Sequence, residues 1–197
     1  VQLEAGPARA AAGVTEAIMT LDELLAADTA KDLRLNLRVI REPRALSPAQ
    51  AWGTALAAAH AARGASVLRA VAAEAAPHLS PEAARAATLA ATLMAMNNVY
   101  YRFTHLVGAP EYAQMGAGLR MQGLANPGVP KADFELWSLA ASIVNGCGMC
   151  MGAHEKQLRA AGVGPEAVQE AARIAAVVHA AAAAVENAEV LQPAASV

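Results

Sequence analysis

The sequence predicts an all-α protein in which helices pack directly on one another. Alanine dominates a composition that is 56% hydrophobic but only 4% aromatic, and alanine has the highest helix propensity of the amino acids. Alanine-rich runs such as 57–62 and 180–184 indicate helices that meet through small side chains. The 197 residues are enough chain to bury a sizeable core.

Start and stop signals then divide the first half of the chain into helices. Residues 1–18 are poorly patterned, and we expect a disordered or loosely helical N-terminal extension there. Thr20 and Glu23 follow with the spacing of a capping box. Ser47-Pro48 is a favourable helix start, because serine caps a helix and proline suits its first turn. The helices predicted after the capping box are 29–40, 48–63, 67–76 and 81–100.

The second half of the chain resembles the first. Trp52 is followed 29 residues later by Pro81, and Trp137 is followed 28 residues later by Pro165. Each proline begins a long alanine-rich helix, so the pattern predicts an internal duplication of a helical unit. The glycine- and proline-rich segment 116–130 is the longest predicted loop.

Charge and hydropathy exclude several classes of protein. The net charge is -2, and no block of lysine or arginine is present that would bind a row of phosphates. No stretch approaches the ~20 uninterrupted apolar residues of a membrane span, and His179 interrupts the apolar run 174–185. The N-terminus lacks the pattern of a secretory signal. We therefore expect a cytoplasmic protein that binds neither nucleic acid nor membrane.

Both cysteines of the chain lie in one short motif. Cys147 and Cys150 have Cys-x-x-Cys spacing, directly after the breaker pair Asn145-Gly146, and His154 follows four residues later. A dithiol at this spacing closes a short disulfide and exchanges with other thiols. In a reducing compartment such a pair is more often redox-active or metal-binding than a structural staple.

The neighbouring residues predict a proton relay. We expect a helix over 131–144, a break, and a new helix from about Cys147, so that Cys147, Cys150 and His154 share one face. His154 is a candidate general base, and Glu135 is the acidic residue best placed to orient its imidazole. A first-turn position favours Cys147 as the nucleophile, whereas the nearby imidazole favours Cys150. The local arguments leave both open.

Other uses of these residues are less favoured. A zinc site needs further ligands at paired spacing, and covalent haem attachment needs a histidine directly after the second cysteine, where Met151 stands. Met149 and Met151 are expected to pack or to line an access path. The remaining histidines are expected to be structural: His60, His78, His105 and His179.

The chain resembles the alkylhydroperoxidase D (AhpD) family within the carboxymuconolactone decarboxylase-like superfamily. The resemblance extends from about Met19 to Leu191, and the ordered set of Glu135, the two cysteines and His154 is its most specific part. The segments that carry it are 31–37, 52–54, 96–102, 125–131, 134–137, 143–155 and 158–159.

The resemblance implies an AhpD-like helical domain over 19–197, with a structural first half to about 130 and a redox-active second half over 131–191. It implies that Cys150 is the attacking thiolate of a thiol-dependent peroxidase and that Cys147 is the proton donor and resolving thiol. Glu135 and His154 then form the proton relay, and a Cys147–Cys150 disulfide forms in each cycle. The subunits are expected to form a homotrimer.

The resemblance also implies partners. An AhpC-type peroxiredoxin would be reduced by this chain, and a lipoylated dihydrolipoyl acyltransferase with dihydrolipoamide dehydrogenase would reduce the chain in turn. The substrate would be an organic hydroperoxide, the lipoyl group an external reductant, and no bound cofactor, flavin or metal is expected.

Between the cysteines the sequence departs from the family pattern. Met149 occupies the position at which a similar member of the family has a histidine, and Gly148 lies before it. An imidazole there would assist the relay or tune the thiol, so its absence weakens the expectation of full peroxidase efficiency and leaves dithiol exchange unaffected. The alternative function is a dithiol electron-carrier adaptor to a peroxiredoxin with little peroxidase activity of its own. A decarboxylase is a weaker alternative, since that chemistry has no use for a dithiol.

Overall fold

The computed structural model describes residues 17–191, and within this range the chain forms α-helices and short 3-10 turns without strands. The predicted all-α class is confirmed. Residues 1–16 of the predicted extension lie outside the described residues. The helices are α1 (Leu21–Leu24), α2 (Lys31–Asn36), α3 (Arg38–Arg41), α4 (Pro48–Ala62), α5 (Ala65–Ala75), α6 (Pro81–Leu106), α7 (Pro110–Gln114), α8 (Lys131–Val144), α9 (Gly148–Ala160) and α10 (Pro165–Leu191).

Helix α4 lies at the centre of the domain, in contact with α5, α6, α8 and α10. Its residues from Ala51 to Ala59 are all buried, and most of them are alanine. Small side chains let the neighbouring helices approach closely. At Gly53, an added Cβ would lie 2.3 Å from the indole of Trp137 on α8, so any larger residue there would separate α4 from α8.

The order and lengths of the helices repeat. Helices α4, α5 and α6 have 15, 11 and 26 residues, and α8, α9 and α10 have 14, 13 and 27. The two tryptophans of the sequence pattern lie on α4 and α8, the first helices of the two units. This is the arrangement that an internal duplication predicts. The division into a structural and a redox-active half stays a prediction.

Several helix boundaries differ from the expected ones. The predicted helix 29–40 is a 3-10 turn followed by α2 and α3, which meet at Leu37, where the amide bonds to carbonyls three and four residues back. Helix α6 continues six residues beyond Tyr100, because the next helix breaker is Gly108 with a φ of +71°. The capping box at Thr20 and the serine cap at Ser47 are present as predicted, and Ser80 caps α6.

A buried carboxylate joins α10 to the segment that precedes α4. Glu170 is only 4% exposed, and its carboxylate accepts hydrogen bonds from the amides of Arg44, Ala45 and Leu46 at distances of 2.7–2.9 Å. Burial alone would raise the pKa of Glu170, but these three N–H groups, together with nearby Arg173, lower it below its ordinary value. Glu170 therefore fixes the approach of the chain to α4.

Among the described residues, α10 has the length and hydropathy of a candidate membrane span, with a mean hydropathy of 1.4 over an 18-residue window of which 33% is buried. The sequence did not predict a span, because His179 divides its apolar run. The buried residues of α10 recur at helical spacing, and the helix packs on α4, α5 and α8. This is the pattern of an amphipathic helix that packs one face on the core of a globular domain.

Candidate active site at the α8–α9 junction

The two cysteines lie where α8 ends and α9 begins. Asn145 caps the C-terminus of α8, and Gly146 adopts a φ of +68°, a conformation that favours glycine. Cys147 was expected in the first turn of the new helix but is its N-cap residue. Its Sγ accepts a hydrogen bond from the amide of Cys150 at 3.4 Å. The Asn-Gly pair thus turns the chain so that a sulfur, rather than a hydroxyl, caps α9.

Cys147 and Cys150 are paired in the structure. Their sulfurs lie at disulfide distance, and their Cα atoms are 5.3 Å apart. Cys147 is fully buried and Cys150 is 6% exposed. The structure therefore represents the oxidised form of the dithiol, with both sulfurs shielded from solvent within one chain.

Glu135 and His154, the two predicted relay residues, are in direct contact. The Nδ1 atom of His154 lies 2.7 Å from Oε2 of Glu135, and the two side chains are 14% and 15% exposed. A carboxylate at this position accepts the Nδ1 proton and fixes the orientation of the ring. The other ring nitrogen, Nε2, lies 3.2 Å from Sδ of Met94 on α6. Among the hydrogen bonds of residues 17–191, none joins His154 to a cysteine sulfur.

Sequence reasoning missed a polar network on α6. The amide of Asn98 donates to Oγ of Ser142 at 2.9 Å and accepts from the side-chain amide of Asn145 at 3.0 Å. Arg102 donates to the carbonyl of Asn145 at 2.6 Å. Met94, Asn98 and Arg102 are spaced by four residues, which places them on one face of α6. That spacing, with an asparagine inside an apolar helix, was the available signal.

Met149, between the cysteines, is 39% exposed, and the side chains of Met149 and Gly148 offer no proton donor beside the disulfide.

Two of the histidines that were expected to be structural make contacts with other side chains. His78 stacks on Trp52 with ring centroids 5.2 Å apart, and Nε2 of His60 lies 3.1 Å from the hydroxyl of Thr88. Burial lowers the pKa of His60.

The helical fold and this junction correspond to a known class of protein. Residues 110–193, which include the disulfide, match the model of the carboxymuconolactone decarboxylase family. The chain is also similar to three proteins named alkyl hydroperoxide reductase AhpD. The relative from Frankia alni is 58% identical over 172 residues, which are 87% of this chain and 92% of the relative. The Methylobacterium relative is 55% identical over 86% of this chain and 97% of its own length. The Streptomyces avermitilis relative is 56% identical over 82% and 93%.

Identity of this extent along almost the whole domain shows the family. The chain belongs to the AhpD family of the carboxymuconolactone decarboxylase superfamily, as its sequence motifs predicted.

Proposed function

We propose that the protein is an antioxidant alkyl hydroperoxide reductase whose reacting group is the Cys147–Cys150 dithiol. The observation that carries the proposal is the disulfide at the start of α9, one helical turn from the hydrogen-bonded pair of His154 and Glu135. Family membership supports the same activity, because relatives that match nearly the full domain are named for alkyl hydroperoxide reduction.

In the proposed cycle, Cys150 is the nucleophile. Its thiolate attacks one peroxide oxygen, the O–O bond breaks, and Cys150 becomes a sulfenic acid while the alcohol leaves with a proton. The Cys147 thiol then attacks the sulfenic sulfur, forming the disulfide and releasing water. One peroxide and two thiols thus give one alcohol, one water and one disulfide.

His154 is the proposed proton carrier of this cycle. It lies four residues after Cys150 and therefore on the same face of α9. Glu135 fixes its ring through Nδ1, so Nε2 is the nitrogen that can exchange protons. In the oxidised structure this nitrogen faces Met94. We propose that the Cys150 thiol comes within reach of this nitrogen once the disulfide opens and a thiol proton is available.

A second dithiol must reopen the disulfide. We propose that a dihydrolipoyl group does so by thiol–disulfide exchange, leaving oxidised lipoyl and two protein thiols. The lipoyl group would be carried by a lipoylated acyltransferase and recycled by dihydrolipoamide dehydrogenase. We also propose that the reduced chain regenerates an AhpC-type peroxiredoxin by the same exchange.

Purified protein, dihydrolipoamide and cumene hydroperoxide test the cycle. We expect continuous turnover by the parent protein and loss of at least 10³-fold in the Cys150→Ser variant, because the serine hydroxyl stays protonated and is a far weaker nucleophile. A Cys150→Ser variant that retains turnover would show that Cys150 is not the nucleophile.

A second candidate function, the electron-carrier adaptor, is favoured by Met149. Its side chain supplies no proton where an imidazole would assist cleavage of the peroxide, while thiol exchange needs no such group. The adaptor predicts a Cys147→Ser variant that forms a stable mixed disulfide with a purified AhpC-type peroxiredoxin, and a parent protein that consumes no peroxide without that partner. Peroxide consumption without the partner would reject the adaptor.

We propose that the subunit forms a homotrimer. Large apolar side chains are exposed along the end of α6 and the segment after it, where a second copy would cover them. The mass in solution by light scattering tests this, and a monomeric mass would contradict it. The exposed residues are Val99, Phe103, Leu106, Val107, Tyr112, Met115 and Leu119.

A further inference from the structure

We propose that Asn98 and Arg102 are positioning residues that hold the α8–α9 turn in the geometry in which Cys147 and Cys150 form their disulfide. We call this pair the α6 brace. Its role in turnover rests on the proposed function, but its effect on the stability of the disulfide does not.

The first arm of the α6 brace is Arg102, which is half-buried on α6. One guanidinium nitrogen donates to the main-chain carbonyl of Asn145 at 2.6 Å. That carbonyl belongs to the C-cap of α8, where carbonyl groups have no partner within the helix. A charged donor forms a stronger hydrogen bond than a neutral one. Arg102 therefore fixes the main chain two residues before Cys147.

The second arm is Asn98, which is fully buried. It accepts a hydrogen bond from the side chain of Asn145 and donates one to Ser142. The main-chain carbonyl of Ser142 in turn accepts the amide of Cys147 at 3.1 Å. Asn98 thus joins α6 to the last turn of α8, whose backbone bonds directly to the first cysteine.

Both arms add to the backbone hydrogen bonds of the turn, which join the amides of Gly146 and Cys147 to the carbonyls of Ile143 and Ser142 at 3.1 Å. Gly146 separates the braced residue from Cys147, and glycine is the residue with the greatest backbone freedom. The equilibrium between dithiol and disulfide depends on how often the two sulfurs meet in the reduced form. A fixed turn makes this more frequent. Loss of the brace should therefore make the disulfide easier to reduce.

An electrostatic effect of the Arg102 charge would change the reduction potential of the disulfide in the opposite direction. If the guanidinium acted on the sulfurs electrostatically, it would stabilise a thiolate and hence the reduced form. Removing the charge would then make the disulfide harder to reduce. The direction of the change in reduction potential therefore distinguishes the brace from a charge effect.

The experiment is the reduction potential of the full-length protein, measured by equilibration with lipoamide and dihydrolipoamide. For Arg102→Gln we expect about a tenfold smaller equilibrium constant for disulfide formation, which is a shift of about 30 mV to more positive potential. Arg102→Lys, which still donates to a carbonyl, should restore at least half of the shift. Asn145→Ala keeps the charge of Arg102 but loses the bond to Asn98, and should shift the potential in the same direction.

Arg85→Gln is the matched control, since Arg85 is exposed on the same helix and loses the same charge. Its potential should equal that of the parent. No shift in Arg102→Gln, a shift to more negative potential, or an equal shift in Arg85→Gln would each overturn the proposal. Absence of peroxide turnover in the parent protein would reject the proposed function while leaving this measurement valid.

Discussion

The α4–α5 and α8–α9 hairpins have similar backbone turns but different side chains. In each, a left-handed residue follows the first helix. Arg63, with a φ of 65°, is the C-cap of α4, whereas Gly146, with a φ of 68°, comes one residue after Asn145, the C-cap of α8. The next residue caps the following helix, and these caps are Gly64 and Cys147. The two connections, of two and three residues, therefore share a left-handed residue directly before the cap of the next helix.

Counting from the caps shows where the hairpins differ. Three residues after the cap is Val67 in the first hairpin and Cys150 in the second, and seven residues after it is Val71 or His154. Val67, Val71 and Cys150 are buried, and His154 is half-buried. Inward-facing positions that hold valine for packing in the first copy thus hold a thiol and an imidazole in the second. The comparison indicates that the chemistry depends on these side chains and their neighbours rather than on a special backbone.

The largest expected effect separates the relay from packing. Glu135→Gln keeps the size of the side chain but removes the charge that orients His154. We expect peroxide turnover with dihydrolipoamide to fall about 10²–10⁴-fold, the range for loss of general acid–base assistance. The melting temperature should change by no more than a few degrees. Turnover within a factor of three of the parent would show that Glu135 is not part of the relay.

Glu170→Gln supplies the opposite case, a buried carboxylate with a structural role. An amide nitrogen would face the donors of residues 44–46, so we expect a loss of about 3 kcal/mol in the free energy of unfolding. Turnover of the folded protein should be unchanged. Urea unfolding at fixed protein concentration measures the loss, and turnover that falls as far as in Glu135→Gln would contradict the structural role.

The lowered pKa of Glu170 also gives this effect a pH dependence. Because the folded-state pKa lies below the unfolded one, the carboxylate stabilises the protein above the ordinary glutamate pKa of about 4.3. The contribution is lost as the pH falls through the folded pKa. The stability difference between parent and Glu170→Gln should therefore shrink in acid, and a difference that stays constant from neutral pH into that range would contradict the assignment.

Val71 tests whether the α4–α5 hairpin, the first of the two, has only a structural role. Val71→Ala removes two buried carbon atoms, for which we expect a loss of about 2 kcal/mol from lost burial and the cavity left behind. The reduction potential and turnover of the folded protein should equal those of the parent. A fall in turnover comparable with that of Glu135→Gln would show that the first hairpin takes part in the chemistry.

The smallest effects concern the two turns. Gly146→Ala places a Cβ in a left-handed conformation and should cost about 1 kcal/mol. Arg63→Gly relieves the same strain but frees the unfolded chain, so a gain of less than about 1 kcal/mol is expected. Thermal unfolding of both variants at one protein concentration provides the comparison. If both variants were less stable than the parent, or both more stable, the left-handed residue would not have the same effect on stability in the two turns.

Much of the fold followed from local signals in the sequence. The sequence indicates helix boundaries at Ser47, at Ser80 and at the breaker pair Asn145-Gly146, and the structure agrees to within a few residues. The join at Leu37 was not predicted, because the helical spacing of leucines continues through it.

The candidate site residues that the sequence predicted lie on α8 and α9, the helices on either side of the breaker pair. Cys147, Cys150 and His154 lie on one helix, so their spacing was informative. The spacing of Met94 and Asn98 places them on one face of α6, but only the packing of α6 on α8 and α9 brings that face to the cysteines. Glu170 contacts residues more than a hundred positions earlier in the chain, which single-sequence reasoning has no means to detect.

The central claim is that the second hairpin performs two-electron dithiol chemistry on a peroxide. The most direct measurement is the number of free thiols per chain in the reduced protein, before and after one equivalent of cumene hydroperoxide and again after dihydrolipoamide. We predict that two thiols are present, that both are lost with formation of one equivalent of alcohol, and that both return. A thiol number that peroxide leaves unchanged would contradict the claim.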